Sequence, residues 1–275
     1  MKIMRTPITY YGGKQRLADT IISMMPGHKL YCEPFFGGGA VFFRKPKAGI
    51  EAINDHNDML INFYLAAQNS FPELQERIRS TLHSESMYYY AKDVWNGRCE
   101  ASNIEKAWAV WMITNGSFAG SMHGGWKWCN GTSGSQSAVM LKNKRIDFSE
   151  QLRDRLDQVQ ISCRDALRVI KERDSENTFF YLDPPYPSCF QGHYYGYTHK
   201  DFYDLLSLLS TIKGKFILSN YWCQTFRYFV AKYGWNIKSI DMDLKVNQQG
   251  HGQKVEKRTE ILAYNYDIEK TLFQH

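Results

Sequence analysis

The segment Phe179-Phe180-Tyr181-Leu182-Asp183-Pro184-Pro185-Tyr186 constrains this chain more than any other. Its apolar, aromatic run reads as a buried strand. The strand cannot continue through Pro184 and Pro185, because proline lacks the N–H and fixes φ. Asp183 is thereby delivered to the strand's carboxyl edge, where open α/β sheets place their ligand sites. The turn offers a carboxylate, a carbonyl before a rigid Pro-Pro step and an aromatic face. Such a set suits an exocyclic amine on a flat heterocycle. Asp183 and the Pro184 carbonyl can accept its two N–H bonds, and Tyr186 can stack on the ring. A buried strand ending in an ordinary turn has the same local sequence, so the surrounding chain has to decide.

The 275 residues, 43% of them hydrophobic, suffice for one large α/β domain or one domain carrying an insertion. A net charge of +6 and a pI near 8.9 favour polyanionic partners. Aromatics make up 15% of the chain, enough to supply base-stacking surfaces as well as core. No apolar run approaches the roughly 20 residues that span a bilayer, and Met1 to Tyr10 lacks the apolar centre of a signal peptide. The cysteines at 32, 99, 129, 163, 189 and 223 show no paired short spacing. Neither a metal site nor a disulfide framework is expected, and reduced cytosolic thiols are. Cys32 and Cys163 lie in strand-like runs and are expected as small core residues.

Along the chain, Arg16 to Met25 reads as a short amphipathic helix stopped by Pro26-Gly27. Lys29 to Phe35 is a strand leading into Gly37-Gly38-Gly39, a helix is expected to begin near Ala40, and Gly49 to Asn54 is a second strand ending at Asp55. From Asp58 to Thr114 the spacing is helical, with Leu60, Phe63, Tyr64 and Ala67 on one stripe and Pro72 where a second helix would begin. Asn115 to Gly134, rich in Gly, Ser, Asn and Trp, reads as irregular or hairpin, and the basic Lys142-Asn143-Lys144-Arg145 follows. Alternation then resumes. Strands are expected at Val159 to Cys163, Thr178 to Leu182, Lys215 to Asn220, Asn236 to Leu244 and Thr259 to Tyr266, with helices at Asp165 to Arg173 and Lys200 to Ile212. This pattern argues an α/β fold with a mostly parallel sheet. The last two strands lack a helix between them and are expected as antiparallel neighbours. The expected division is a catalytic domain from residues 1–56 and 151–275, with a mainly helical insertion at 57–150.

Three further segments carry chemistry. Glu33-Pro34-Phe35-Phe36-Gly37-Gly38-Gly39 ends the first strong strand; its glycines allow a tight turn and close ligand approach. It is not the Gly-x-Gly-x-x-Gly dinucleotide fingerprint, which points to a nucleoside rather than a pyrophosphate. Asp55 ends the next strand, 18 residues after Gly37, a position suited to ribose hydroxyls. It equally suits the N-cap of the following helix. Tyr10-Tyr11-Gly12-Gly13-Lys14 places an aromatic pair, a double glycine and a cation before a helix; a plain turn with a solvated lysine is the alternative.

Together these segments resemble the Dam-type DNA adenine-N6 methyltransferases, the α-order, D12 class group that uses S-adenosylmethionine. Tyr10 to Lys14 matches the family's aromatic-x-Gly-Gly-Lys opening, Glu33 to Gly39 its cofactor motif and Asn54-Asp55 its acidic second-strand motif. Asp183 to Tyr186 matches its Asp-Pro-Pro-Tyr catalytic motif. Tyr197-Thr198-His199, Leu218-Ser219-Asn220 and Lys254 to Tyr264 are similar to downstream segments, all in the family's order. The resemblance implies a Rossmann-like methyltransferase sheet with an antiparallel C-terminal strand and an inserted target-recognition domain. It also implies methyl transfer from S-adenosyl-L-methionine to N6 of a flipped-out adenine, leaving S-adenosyl-L-homocysteine. The expected partner is double-stranded DNA, with a cognate restriction endonuclease if the enzyme is not an orphan. The expected setting is the nucleoid in the cytoplasm of a bacterial or phage-infected cell. A cytosine-N4 methyltransferase shares the fold but more often carries Ser where Asp183 stands. The chain departs from the family at Asn115 to Gly120 and Trp126-Lys127-Trp128, so a GATC target is not implied.

The resemblance gives catalysis to Asp183, Pro184, Pro185 and Tyr186. It gives cofactor contacts to Tyr11 and Lys14, to Glu33, Phe35, Gly37 and Gly39 around the methionine part, and to Asp55 at the ribose. Asp165, which also suits a helix cap, falls near the cofactor adenine, and Asp183 borders the cofactor too. For DNA, the residues themselves point to Asn115, Ser117, Trp126, Lys127, Lys142, Lys144 and Arg145. Small residues permit groove approach, cations meet phosphates and polar groups read base edges. A solvated basic loop over buried tryptophans is the alternative. Lys254, Lys257 and Arg258 form a second basic loop suited to phosphate.

Overall fold

The computed structural model describes residues 4–10, 12–130, 136–186, 196–243 and 257–268. Its strands are β1 (Leu30–Glu33), β2 (Ile50–Asn54), β3 (Gln160–Ser162), β4 (Thr178–Leu182), β5 (Lys215–Asn220), β6 (Asn236–Asp243) and β7 (Lys257–Tyr264). They form a 7-stranded sheet in the order β3-β2-β1-β4-β5-β7-β6. The pairs β1–β4, β2–β3 and β4–β5 are parallel, whereas β7 runs antiparallel to both β5 and β6. The mostly parallel sheet with an antiparallel C-terminal strand is thus as expected. Strand order reverses between β1 and β4, the switch point at which open α/β sheets bind ligands.

The chain divides into two compact units, Met1–Ser23 with Phe35–Ala166, and Met24–Pro34 with Leu167–His275. The first holds β2, β3 and the helices α1 (Ala18–Met24), α2 (Asp58–Asn69), α3 (Phe71–Arg79), α4 (Glu85–Trp95), α5 (Asn103–Gly116), α6 (Ser137–Asp147) and α7 (Glu150–Leu156). Asn57, Ser84 and Ser102 cap α2, α4 and α5 by accepting a backbone N–H two or three residues into the helix. Pro72 lies in the first turn of α3, where its missing N–H has no partner to lose. Every residue from Ala107 to Thr114 is buried, which makes α5 the central helix, packed on α2, α3, α4 and α6. Its Trp108 indole donates to Thr81 at 2.7 Å, and the Arg77 guanidinium lies 3.7 Å above the ring.

Two expectations in this unit need correction. No regular helix starts near Ala40. Residues 40–44 form successive turns, with Phe43 N–H on the Gly39 carbonyl and Lys45 N–H on the Val41 carbonyl. Pro46 has no N–H to continue that ladder onto Phe42. The Phe42 carbonyl is instead taken by Arg155 at 2.8 Å, and Arg155 with Lys45 also holds the buried Glu51. Burial raises the Glu51 pKa, but the two cations pull it below its ordinary value. Cys163 is exposed, because β3 ends at Ser162 and the thiol falls beyond the strand; Cys32 is buried as expected. The basic cluster 142–145 lies on the helix α6, with α7 after it, neither foreseen. The preceding segment does turn back on itself, through a 3-10 turn at Phe118–Gly120 and an antiparallel bridge between Ser117 and Trp126.

The second unit holds β1, β4 to β7, α8 (Ala166–Arg173), α9 (His199–Leu209) and α10 (Gln224–Tyr233). All five β4 residues are buried, as a central parallel strand requires. Thr198 and Asp201 close a reciprocal capping box at the start of α9. The unforeseen α10 ends at Gly234, whose φ of +64° is the left-handed cap that glycine adopts most easily. Among the described residues, no helix is long and apolar enough to cross a membrane.

Candidate active site

In the first unit, the glycine loop is folded against the Tyr10 side chain. A Cβ on Gly38 would stand 2.7 Å from the Tyr10 Cβ, and Gly37 takes a φ of +49°. The Gly37 peptide unit is gripped on both sides. Its N–H donates to Asp55 Oδ2 at 2.8 Å, and its carbonyl accepts from the Tyr64 hydroxyl at 2.9 Å. Asp55 Oδ1 accepts the Asn57 N–H at 3.0 Å. Asp55 is therefore not the helix cap; Asn57 is. Burial raises the Asp55 pKa, and the Asn57 and Gly37 N–H groups oppose the rise.

Lys14 is buried rather than solvated, and its ammonium donates to the Gly12 carbonyl at 3.2 Å. Phe35 is half-buried just before the loop. Asn54 ties the end of β2 to the segment after β3. Its Oδ1 accepts from Ser162 Oγ and the Arg164 N–H, and its amide donates to the Arg164 carbonyl. Asp165 follows, exposed, before α8.

In the second unit, the β1–β4 register pairs Cys32 with Phe180, so Glu33 and Asp183 stand at the carboxyl ends of neighbouring strands. Glu33 is buried and accepts the Tyr31 hydroxyl at 3.0 Å. After β4, the two prolines lead to Tyr186, whose hydroxyl reaches Asp183 Oδ1 at 3.1 Å and also Glu260 Oε1. The Tyr186 ring meets Tyr221 edge-on at 4.8 Å. The Tyr181 hydroxyl lies 3.2 Å from Ser219 Oγ. Burial first, and then the negative charge of Asp183, push Tyr181 and Tyr186 well above the ordinary tyrosine range. Both remain phenols. Glu260 is a site residue that sequence reasoning missed. The available signal was strand alternation, which puts it on one face of β7 with the buried Leu262.

The expected DNA contacts have varied surroundings. The Asn115 amide accepts from the Thr9 N–H and hydroxyl and donates to the Pro7 and Trp111 carbonyls. Ser117 Oγ and Trp126 Nε1 are buried without a hydrogen-bond partner among the described residues. The Lys127 N–H donates to the Gly116 carbonyl at 2.7 Å, and its ammonium lies 3.3 Å from Met140 Sδ. Lys142 is exposed. Lys144 donates to the Thr6 carbonyl at 2.8 Å, and burial pushes its pKa down to about 8. Arg145 donates to the Thr81 and Arg79 carbonyls past the end of α3. Phe118 and Trp128 leave more than half their surface exposed. In the second unit, Arg258 is exposed, 5.8 Å from the Tyr221 ring centre. Tyr11, Lys254 and the Lys257 side chain lie outside the described residues.

The model of the D12 class N6 adenine-specific DNA methyltransferases matches residues 10–243. A type II methyltransferase of Lactococcus lactis subsp. cremoris, M1.LlaDCHI, is 30% identical over 73% of this chain and 73% of its own. Another, M.MjaIII of Methanocaldococcus jannaschii, is 27% identical over 94% of this chain and 98% of its own. Among solved structures, a precorrin-8W decarboxylase from Methanobacterium thermoautotrophicum covers 96% of each chain with a TM-score of 0.42 at 9% identity. The fold class follows from the strand order, not from that likeness.

Proposed function

Because the chain belongs to the D12 class N6 adenine-specific DNA methyltransferases, we propose that Asp183 and the Pro184 carbonyl accept the two N–H bonds of the target adenine's amine. The reaction class is methylation of adenine N6 in DNA at a specific sequence. The N6 lone pair is delocalised into the ring and is a poor nucleophile. Two acceptors on its protons favour a more tetrahedral nitrogen, and the Asp183 carboxylate stabilises the positive charge that develops there. Asp183 is also the acceptor in reach of the proton that N6 must lose. Holding the amine in line with the methyl donor supplies much of the remaining rate. The observation that carries this reading is the Asp183 carboxylate at the end of β4, fixed by the Tyr186 hydroxyl. Tyr186 is only 6% exposed, so we assign it to holding that carboxylate.

Methyltransferases of this kind use S-adenosylmethionine, which supplies an electrophilic methyl on a sulfonium. The residues present suit it. The loop closes on Tyr10 so tightly that a side chain at Gly38 has no room, and Asp55 keeps acceptor capacity beside the loop. We assign Asp55 to the ribose hydroxyls, Gly37 and Gly39 to backbone approach, Phe35 and Glu33 to the methionine part, Lys14 to the loop's edge and Asp165 to the adenine. Tyr11 keeps the role its motif implies.

The substrate we infer is double-stranded DNA, with the target base flipped because its amine is unreachable inside the stack. The segment 57–150 would read the sequence, with Lys142, Lys127 and the exposed Trp128 nearest to contact. Asn115, Lys144 and Arg145 would shape that surface, since their polar atoms are engaged within the unit. Ser117, Trp126, Lys254, Lys257 and Arg258 remain contact candidates. The relatives' type II designation supports a partner endonuclease, and the setting is then the nucleoid in the cytoplasm. Expression in cells lacking adenine methylation, followed by single-molecule mapping of methyl-adenine, tests the whole reading. Methyl-cytosine, or no methylation by a folded chain that binds the cofactor, would overturn it.

A further inference from the structure

Glu260 sits in β7, 2% exposed, one residue before Ile261, which pairs with the last residue of β5, Asn220. Because β7 runs against β5, this early β7 position lies at the carboxyl end of β5. That is the same end of the parallel strands at which β4 delivers Asp183. A carboxylate in so dry a place is costly unless it is held by partners, and an apolar residue would stabilise the sheet more. One of its partners is the Tyr186 hydroxyl, which is also bonded to Asp183.

The proton count is informative. A phenol has one proton, yet two carboxyl groups lie within hydrogen-bond distance of its oxygen. The hydroxyl proton is shared between the two, so the phenol oxygen is held between Glu260 and Asp183.

We propose that Glu260 is a positioning residue for methyl transfer, accepting from the Tyr186 hydroxyl and holding it in place so that Tyr186 in turn orients the Asp183 carboxylate. The proposal rests on the reading of Asp183 as the acceptor of the target amine. It separates two functions for the residues around this turn: Asp183 meets the substrate, while Tyr186 and Glu260 set its direction from behind.

The test compares Glu260→Ala, Glu260→Gln and Tyr186→Phe in the full-length enzyme, with kcat and KM measured separately for S-adenosylmethionine and DNA. Glu260→Ala and Tyr186→Phe should each lower kcat by about tenfold or more. Both KM values should stay within about twofold. Glu260→Gln keeps an acceptor oxygen on a side chain of the same shape and should remain within about threefold of wild type. The Glu260→Ala change should add nothing in the Tyr186→Phe background, because both cut one chain of bonds. An unchanged kcat in Glu260→Ala overturns the proposal, as does Glu260→Gln behaving as badly as Ala. If Glu260→Ala does not fold, an unchanged kcat in Tyr186→Phe overturns it instead. Asp183→Ala in the same assay separates the two layers. Loss there with full activity at Glu260 removes this inference alone, while activity retained at Asp183 removes the reading beneath it.

Discussion

Asp55 and Asp183 each follow a parallel strand, and each is flanked by groups that hold its oxygens, but the holders differ in kind. Asp55 is gripped by main-chain N–H groups, from Gly37 and Asn57. Asp183 is gripped by a side chain, the Tyr186 hydroxyl, which has a carboxyl group behind it. A main-chain grip depends on loop geometry and is hard to change by substituting a neighbour. A side-chain grip can be weakened or tuned one residue at a time. Cofactor binding should therefore respond to whatever moves the glycine loop, and the methyl-transfer rate to whatever touches Tyr186.

The largest effect is expected at Asp183. Asp183→Ala should cut turnover by at least about 100-fold, the scale of losing one preorganised electrostatic group, while DNA affinity and folding hold. Methylation within tenfold of wild type would remove it from the chemistry. Asp183→Asn should be impaired as well, since an amide offers a donor where an acceptor is needed. At Asp55 the loss should appear in binding. Asp55→Ala should weaken S-adenosylmethionine by about 1.5–3 kcal/mol, the range for hydrogen bonds to a charged group. Calorimetry showing unchanged affinity would leave Asp55 with the loop alone.

Tyr64→Phe sharpens the contrast further, because it removes only the bond to the Gly37 carbonyl. Cofactor affinity should fall by about 0.5–1.5 kcal/mol, with kcat at saturating cofactor unchanged. A fall in kcat at saturation would mean that the loop also governs the chemical step.

The smallest effects on methylation should come from α6, where the same two kinds of grip recur. Lys142→Ala removes an exposed cation and should weaken DNA of every sequence, lowering the salt slope by about one. Lys144 is held by the Thr6 carbonyl, and burial keeps its pKa near 8, below its ordinary 10.5. The folded chain then loses this proton before the unfolded chain does. Its charge is a cost below pH 8, and stability rises as the pH climbs from about 8 toward 10.5. Lys144→Met should flatten that rise in denaturant titrations, leaving the share due to Lys92, which burial also holds down, set against the fall due to Cys32, whose thiol burial pushes up to about 12. An undiminished rise would place Lys144 in water.

Much of the fold was legible because its signals are local. Proline pairs, glycine runs and alternating apolar segments fix where β4 and β5 end, and both match their expected bounds. The helices α6, α7 and α10 were not foreseen; each buries only two or three of its residues. Asp55 illustrates what one strand cannot tell. Its type and position suit a cap or a ligand contact, and only the fold shows Asn57 doing the capping. Glu260 illustrates the larger gap. Nothing local says that a glutamate 74 positions after Tyr186 will touch it, because strand register is decided by partners far away in sequence. Asn115 shows the opposite gap. Its amide looks free to read a base, yet the fold occupies it with Thr9 and Pro7.

The place of β7 between β5 and β6 has a consequence for how the enzyme comes to life. β6 is made first but is an edge strand paired with β7, so it joins the sheet only with or after β7. A ribosome-bound chain would carry Asp183 and Tyr186 into solution well before Glu260, 74 positions on from Tyr186. Chains released just before Lys257 should bind DNA through their helical segment and leave it unmarked.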